Sequence, residues 1–362
     1  MAIDEPSMDI VDTPEQAAES DQAPLIVREP LAAFMDLQGL GSGPVEAERI
    51  GEGHSNVTYL IRRGQERMVL RRPPRPPLPP SAHDVLREAR LLSALEGTDA
   101  RTPRVLATCE DESVLAGVPF YVMEEVHGSV ITSDIPVTLD NPPERGRIGE
   151  ELVDALAEIH AVDWRAAGLE GFGKPSGYLE RQLRRFHGLW EHNKTRELEV
   201  VSEVGQWLAD NLPDSGESTI VHGDYRLGNL MVAGDAPARL VSVFDWELAT
   251  IGDPLADVGY LTVTWAQAGD PDELAFGSLS AATRREGFPT RDGLVARYEE
   301  LTGRSVAALN WYQALALWKA AVFMEGNYKR FVAGSTDDEY LGLFDEGVPA
   351  LAEKARSVAL AG

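Results

Sequence analysis

The stretch VHGDYRLGNLMV (residues 221–232) sets a histidine, two glycines, an aspartate and an asparagine between two short apolar runs. Asp224 and Asn229 stand close together at what reads as a strand end, and VFDWE (243–247) adds Asp245 shortly afterwards. Two carboxylates and one amide oxygen are hard oxygen donors. They suit magnesium, which keeps its waters and takes few protein ligands beside substrate phosphates. A carboxylate that stays off the metal can accept a proton from a hydroxyl nucleophile. Asp224, Asn229 and Asp245 together are the inventory for phosphoryl transfer.

Their order sharpens that reading. Protein kinases place a catalytic-loop aspartate ahead of a metal-binding asparagine, then a second metal-binding aspartate on a following strand. An upstream half should then exist, and candidates are present. GEGHSNV (51–57) lies at a turn between two strands, where Gly51, Gly53, Ser55 and Asn56 can bring backbone N–H groups to phosphates. Arg71 ends the third strand of this region, with Arg72 beside it as the alternative cation, and Glu88 on the next helix is placed to pair with it. MEEV (123–126) carries Glu124 and Val126 to a junction where exposed backbone could meet an adenine edge. Each piece alone is weak; the order of glycine turn, cation, helix glutamate, junction strand, Asp224, Asn229 and Asp245 is what has weight.

The rest of the chain limits the alternatives. At 362 residues the length suits two lobes or one large domain, and 43% hydrophobic residues with 25% charged is ordinary for a globular protein. No apolar run is long enough to span a membrane and the first residues are acidic, so a cytoplasmic protein without membrane contact is expected. The single cysteine, Cys109, excludes an intramolecular disulfide and a cysteine-cluster metal site. A formal charge of −26 argues against nucleic acid as a partner. No signal fixes an oligomeric state.

Along the chain, residues 1–24 carry seven acidic and no basic side chains and read as a disordered tail. A short helix is expected to end at GLGSG (39–43), followed by strands with alternation at Val57, Tyr59 and Ile61 and at Met68 and Leu70. The proline-rich PPRPPLPP (73–80) cannot pair in a sheet. Ser81 and Asp84 form a capping-box-like start to a helix reaching to Gly97, and VLATCED and PFYVMEEV are two more strands. Beyond about residue 140 the period is helical, interrupted by two short strands around the opening motif.

HGDYRLGNLMV followed by FDWELATIGDPLADVGYL resembles the aminoglycoside phosphotransferase-like kinases, the superfamily that includes choline and homoserine kinases. VLRRPP, SAHDVLREARLLSAL and DWELATIGDPLADVGYL are most similar to the branch found as stand-alone bacterial phosphotransferases and fused to acyl-CoA dehydrogenases. The resemblance covers about residues 40–335. It implies an α+β, two-lobe, protein-kinase-like fold: a small antiparallel N-lobe with a helix at 25–127, and a larger, mainly helical C-lobe at 128–362, with ATP between them.

By motif, the resemblance makes Asp224 the catalytic base, Asn229 and Asp245 the Mg2+ ligands, and His222 a loop-shaping residue. Arg71 would contact phosphates and pair with Glu88, and residues 124–126 would hold adenine. Asp257 would stiffen the loop, with Glu247 assisting near the metal. EGNYKR (325–330) resembles the acceptor-side helix, which makes Glu325, Tyr328 and Arg330 candidate substrate contacts. Arg71 stands where many relatives have lysine, Asn56 where protein kinases have a third glycine, and Trp246 where they have phenylalanine. The expected activity is ATP- and Mg2+-dependent transfer of the γ-phosphoryl group to a hydroxyl of a small molecule, a hydroxy acid or hydroxyacyl-CoA. The alternatives are an aminoglycoside-modifying kinase and a nucleotide-binding pseudokinase acting as a scaffold.

Overall fold

Acidic residues near the N-terminus are held by basic partners further along the chain. The computed structural model describes residues 9–51, 56–76, 83–115, 117–270, 279–335 and 338–361. Strand β1 (Ile10–Val11) runs parallel to β2 (Ile26–Val27), and helix α1 (Pro14–Glu19) between them starts with a capping box joining Thr13 and Gln16. Asp12 pairs with Arg28 at 2.7 Å, Asp9 pairs with Arg75, and the Asp9 carbonyl accepts the N–H groups of Leu25 and Ile26. Disorder was expected over 1–24, whereas residues 9–24 are ordered. Composition counts the acids but not the distant arginines, nor the buried Leu25 and Ile26 to which the segment is tied. Residues 1–8 of that stretch lie outside the described residues.

The described residues separate into two units, one within 1–97 and 102–126 and the other within 98–101 and 127–362. In the first, α2 (Arg28–Gln38) stops where Gly39 takes a left-handed φ of 69°. Five antiparallel strands follow: β3 (Glu46–Ile50), β4 (Val57–Arg63), β5 (Glu66–Arg72) and, after α3 (Val85–Leu95), β6 (Val105–Cys109) and β7 (Phe120–Glu124). Their order in the sheet is β3-β4-β5-β7-β6. The register sets Tyr59 against Leu70 and Leu70 against Val122, which makes one continuous apolar face. Leu31 and Met35 of α2 join that core, and Phe34 meets Phe120 edge-on at 5.1 Å. Asp84 caps α3 by accepting the Arg87 N–H at 3.0 Å, and α3 packs on β6 and β7.

The second unit is mainly helical. Strand β8 (Ser129–Val130) precedes α4 (Pro142–Ala161), whose N-cap Asn141 accepts from Glu144 N and whose first residue is proline. Then come α5 (Tyr178–Asn193) and α6 (Glu199–Asp210). Strands β9 (Thr219–Val221), β10 (Leu230–Val232), β11 (Leu240–Val243) and β12 (Thr250–Gly252) form two small sheets, ordered β11-β10-β8 and β12-β9. After them come α7 (Leu255–Thr264), α8 (Arg291–Thr302), α9 (Leu309–Val332) and α10 (Phe344–Ala361).

Helix α9 is the axis of this unit and packs on α5, α6, α7 and α10. Its buried indoles keep their N–H groups satisfied: Trp311 donates to Leu208 O at 3.0 Å and Trp318 to Val201 O at 2.9 Å. Residues 98–101 belong to this unit because Arg101 is anchored in it. Its guanidinium reaches Glu151 and Glu158 on α4, and its carbonyl accepts the Val243 N–H.

Candidate active site

The two small sheets fix both ends of the loop that carries Asp224. β9 pairs with β12 through Val221 and Thr250, and β10 pairs with β11 through Leu230 and Val243. Between the strands, Leu227–Asn229 makes one 3-10 turn and leaves Asn229 buried. The Asn229 side-chain N–H group donates at 2.8 Å to an Asp224 carboxylate oxygen and at 2.8 Å to the Asp224 carbonyl. Arg226 lies 3.4 Å from the other carboxylate oxygen, and the Tyr260 hydroxyl also bonds Asp224. Burial first, then the Asp224 charge, pushes the Tyr260 phenol well above its ordinary range, so it stays a donor at any working pH.

Asp245 follows β11 in the left-handed region, φ 64° and ψ 59°, which aspartate tolerates better than most residues. The turn is clamped on both sides. Phe244 N donates to Asn229 O at 2.9 Å, and the Trp246 indole donates to Val243 O at 2.9 Å. Asp245 and Asn229 are therefore coupled through backbone rather than left on separate loops. Glu247 sits half-buried in the short 3-10 turn Trp246–Leu248.

Asp257, in the first turn of α7, is fully buried and supports the loop from below. Its two oxygens accept the backbone N–H groups of His222 at 2.7 Å and Gly223 at 2.8 Å. His160 on α4 lies 3.2 Å from one of those oxygens and 2.8 Å from the Tyr298 hydroxyl on α8. Burial opposes ionisation of Asp257, but the bond from His160, the two histidine rings and the Gly223 N–H outweigh it and hold the carboxyl below its ordinary range. His222 uses both ring nitrogens: Nε2 donates to Phe244 O at 2.9 Å and Nδ1 accepts the Asp224 N–H at 3.2 Å. Both ring nitrogens are thus engaged in holding the backbone of the loop. His160, Tyr260 and Tyr298 were not singled out from sequence, because each stands alone in a helical pattern.

In the first unit, Arg71 Nε donates to Glu88 Oε2 at 2.9 Å, with Glu88 buried on α3. Neighbouring strand residues face opposite sides, so Arg72 points the other way. It is fully buried and donates to the Leu25 and Pro73 carbonyls, and burial pushes its guanidinium down to about 10. Arg72 therefore braces the core, and Arg71 is the one that pairs with Glu88. Asn56 is buried with its amide oxygen 3.2 Å from His83 Nδ1, and Gly51 turns with a φ of 75°. Gly53 and Ser55 lie outside the described residues. Glu124 accepts the Arg104 N–H at 2.9 Å, whereas among the described residues nothing bonds the backbone N–H or C=O of Val126.

The acceptor-side candidates diverge. Glu325 is fully buried, and one carboxylate oxygen accepts both the Thr195 N–H at 2.8 Å and the Thr195 hydroxyl at 2.7 Å, with Arg196 at 3.5 Å from the other. It ties α9 to the loop after α5, so the geometry corrects its placement among substrate contacts: a carboxylate enclosed in this way cannot reach a ligand. Tyr328 lies under the Arg196 guanidinium at 5.0 Å, and Arg330 is exposed.

Comparison with known proteins matches residues 46–294 to the model of the phosphotransferase enzyme family. The chain belongs to that family. This phosphotransferase is 33% identical over 316 residues to acyl-CoA dehydrogenase family member 11 of Gallus gallus, covering 86% of the chain and 40% of the relative. It is 34% identical over 294 residues to family member 10 of Mus musculus, covering 81% of the chain and 27% of the relative. The phosphotransferase thus spans well under half of either relative. A Ralstonia eutropha structure provisionally assigned as an aminoglycoside phosphotransferase superposes with a TM-score of 0.79 at 31% identity, covering 92% of this chain and 98% of the other. An aminoglycoside phosphotransferase bound to AMP-PNP and hygromycin B gives 0.56 at 16% identity over 92% and 99%, a likeness of fold. The α+β kinase-like fold, the resemblance to the dehydrogenase-fused branch and a small-molecule phosphotransferase acting on hydroxyl groups all stand. Among the described residues no helix is long and apolar enough to cross a membrane.

Proposed function

We propose that the phosphotransferase transfers the γ-phosphoryl group of ATP, with Mg2+, to the hydroxyl of a small hydroxy acid or hydroxyacyl thioester. The observation that carries this reading is the pair of hydrogen bonds that the Asn229 amide donates to Asp224. It aims a carboxylate and leaves the asparagine oxygen for a cation. Asp224 would accept the proton of the acceptor hydroxyl, a role worth about 10²–10⁴ in rate. Arg226, Tyr260 and Asn229 hold it in place, and orientation of this kind supplies much of the barrier reduction in phosphoryl transfer.

Asn229 and Asp245 fit magnesium by the chemistry of their donors. Among the described residues no group of three or more His, Cys, Asp or Glu could hold a metal unaided, so a cation here would rely on an amide oxygen, few carboxylates and phosphate oxygens. When bound, the metal would neutralise phosphate charge. Arg71, fixed by Glu88, would bind the nucleotide phosphates, and the Val126 backbone groups, unbonded among the described residues, would meet the adenine edge. The share of each relative left uncovered agrees with a module that serves acyl-CoA chemistry, which favours hydroxy acids and their thioesters as acceptors.

Calorimetric titration with ATP, with and without magnesium, tests the nucleotide half. ADP release with hydroxy acids, hydroxyacyl thioesters and aminoglycosides then tests the acceptor. Magnesium-dependent binding and turnover of the first two classes is expected, and a folded sample that ignores ATP in every combination would contradict the reading.

A further inference from the structure

Lys319 lies on α9 within a core-helix sequence, LWKAAVF, and is half-buried. Its ammonium sits 4.8 Å from the centroid of the Phe186 ring on α5. The guanidinium of Arg185 is 5.9 Å from the same ring. Among the described residues neither cation has an ion pair or hydrogen bond, although the chain holds 59 acidic residues against 33 basic ones. Two other lysines of this unit are held by oxygens: Lys194 pairs with Glu191 and Glu197, and Lys329 donates to the His192 carbonyl. Two like charges on one ring, one of them partly removed from water, cost stability unless an anion joins them.

The surroundings connect this pair to the base. Tyr312, two turns before Lys319 on the same face of α9, donates to Asp253 at 2.7 Å where α7 begins. That helix carries Asp257, which holds the Asp224 loop, and Tyr260, which bonds Asp224 itself. Asp257 cannot serve as the missing counter-ion, because His160, His222 and Gly223 already occupy its oxygens.

We propose that Lys319 and Arg185 bind an anionic group of the acceptor, which makes the substrate a hydroxyl compound with a carboxylate or phosphate and excludes polycationic aminoglycosides. This rests on the kinase reading above and adds the charge of the acceptor to it. Burial, with repulsion from Arg185 next, pulls the Lys319 ammonium down to about 8, and Asp257 acts the other way. An anion seated between the two cations would oppose that shift.

The chain has only five lysines, so reductive methylation with carbon-13 formaldehyde gives few signals, and Lys319→Arg identifies the one from Lys319. β-Hydroxybutyrate, its methyl ester and β-hydroxybutyryl-CoA are titrated in turn. A saturable shift confined to Lys319 with the free acid, absent with the ester, assigns a carboxylate. The same shift with the thioester alone assigns a phosphate. No shift with either anion, or an equal shift with the ester, overturns the proposal. Repeating the titration in Asp224→Asn separates the two readings: anion binding should persist there while ADP release is lost.

Discussion

Asn229 donates its side-chain amide to both the carboxylate and the carbonyl of Asp224, at 2.8 Å each. One residue thereby sets the direction of the candidate base and keeps its own oxygen for a cation. Asn229→Ala should lower turnover by about 10²-fold, the scale of a misplaced reacting group. It should also weaken magnesium-dependent nucleotide binding, and cost only about 1 kcal/mol of stability in urea unfolding. Unchanged turnover would mean that Asp224 does not need this support.

Asp257→Asn should destabilise the second unit by about 3 kcal/mol, because one carbonyl oxygen would have to replace two carboxylate oxygens that serve buried donors. The sign with pH follows from a folded pKa held below the ordinary value. The stabilisation from the carboxylate is fully present above the ordinary aspartate range and fades as pH falls through the lower folded value. Urea unfolding of both proteins from pH 7 downward should therefore show a constant difference that shrinks only below about pH 4.

Arg71 and Arg72 separate binding from folding. Arg71→Met should raise the KM for ATP about tenfold or more with a small change in melting temperature. Arg72→Met should lower stability by about 1–3 kcal/mol, since the Leu25 and Pro73 carbonyls lose their donor, and leave KM unchanged. The reverse pattern in steady-state kinetics and thermal melts would exchange their roles.

Gly223 has a φ of 89°, and a Cβ there would lie 3.0 Å from Leu248 Cβ and from its carbonyl oxygen. Gly223→Ala should cost about 1–3 kcal/mol and reduce turnover by displacing the adjacent Asp224. Thermal melting and initial rates measure the two effects independently.

Much of this architecture could be read from residue order. The strand alternation at 57–72, a helix start close to Asp84 and the spacing of Asp224, Asn229 and Asp245 are local signals, and local geometry fixes them. Partners remote in sequence were not legible. The acidic segment at 9–24 is ordered by Arg28 and Arg75, and the choice between Arg71 and Arg72 depended on a carbonyl at Leu25. Glu325 stood among the candidate substrate contacts because EGNYKR resembles the acceptor-side helix of the family, yet its carboxylate is taken up by Thr195. Lys319 stands amid apolar residues in the sequence, but that it has no counter-ion among the described residues emerges only in three dimensions.

The central claim is that Asp224 accepts the acceptor's proton. It is tested most directly by measuring ADP release and calorimetric ATP binding side by side in the wild type and Asp224→Asn. The predicted result is a rate loss of about 10²–10⁴ with magnesium-dependent nucleotide affinity retained. Turnover that survives the substitution at near wild-type rate would contradict the assignment.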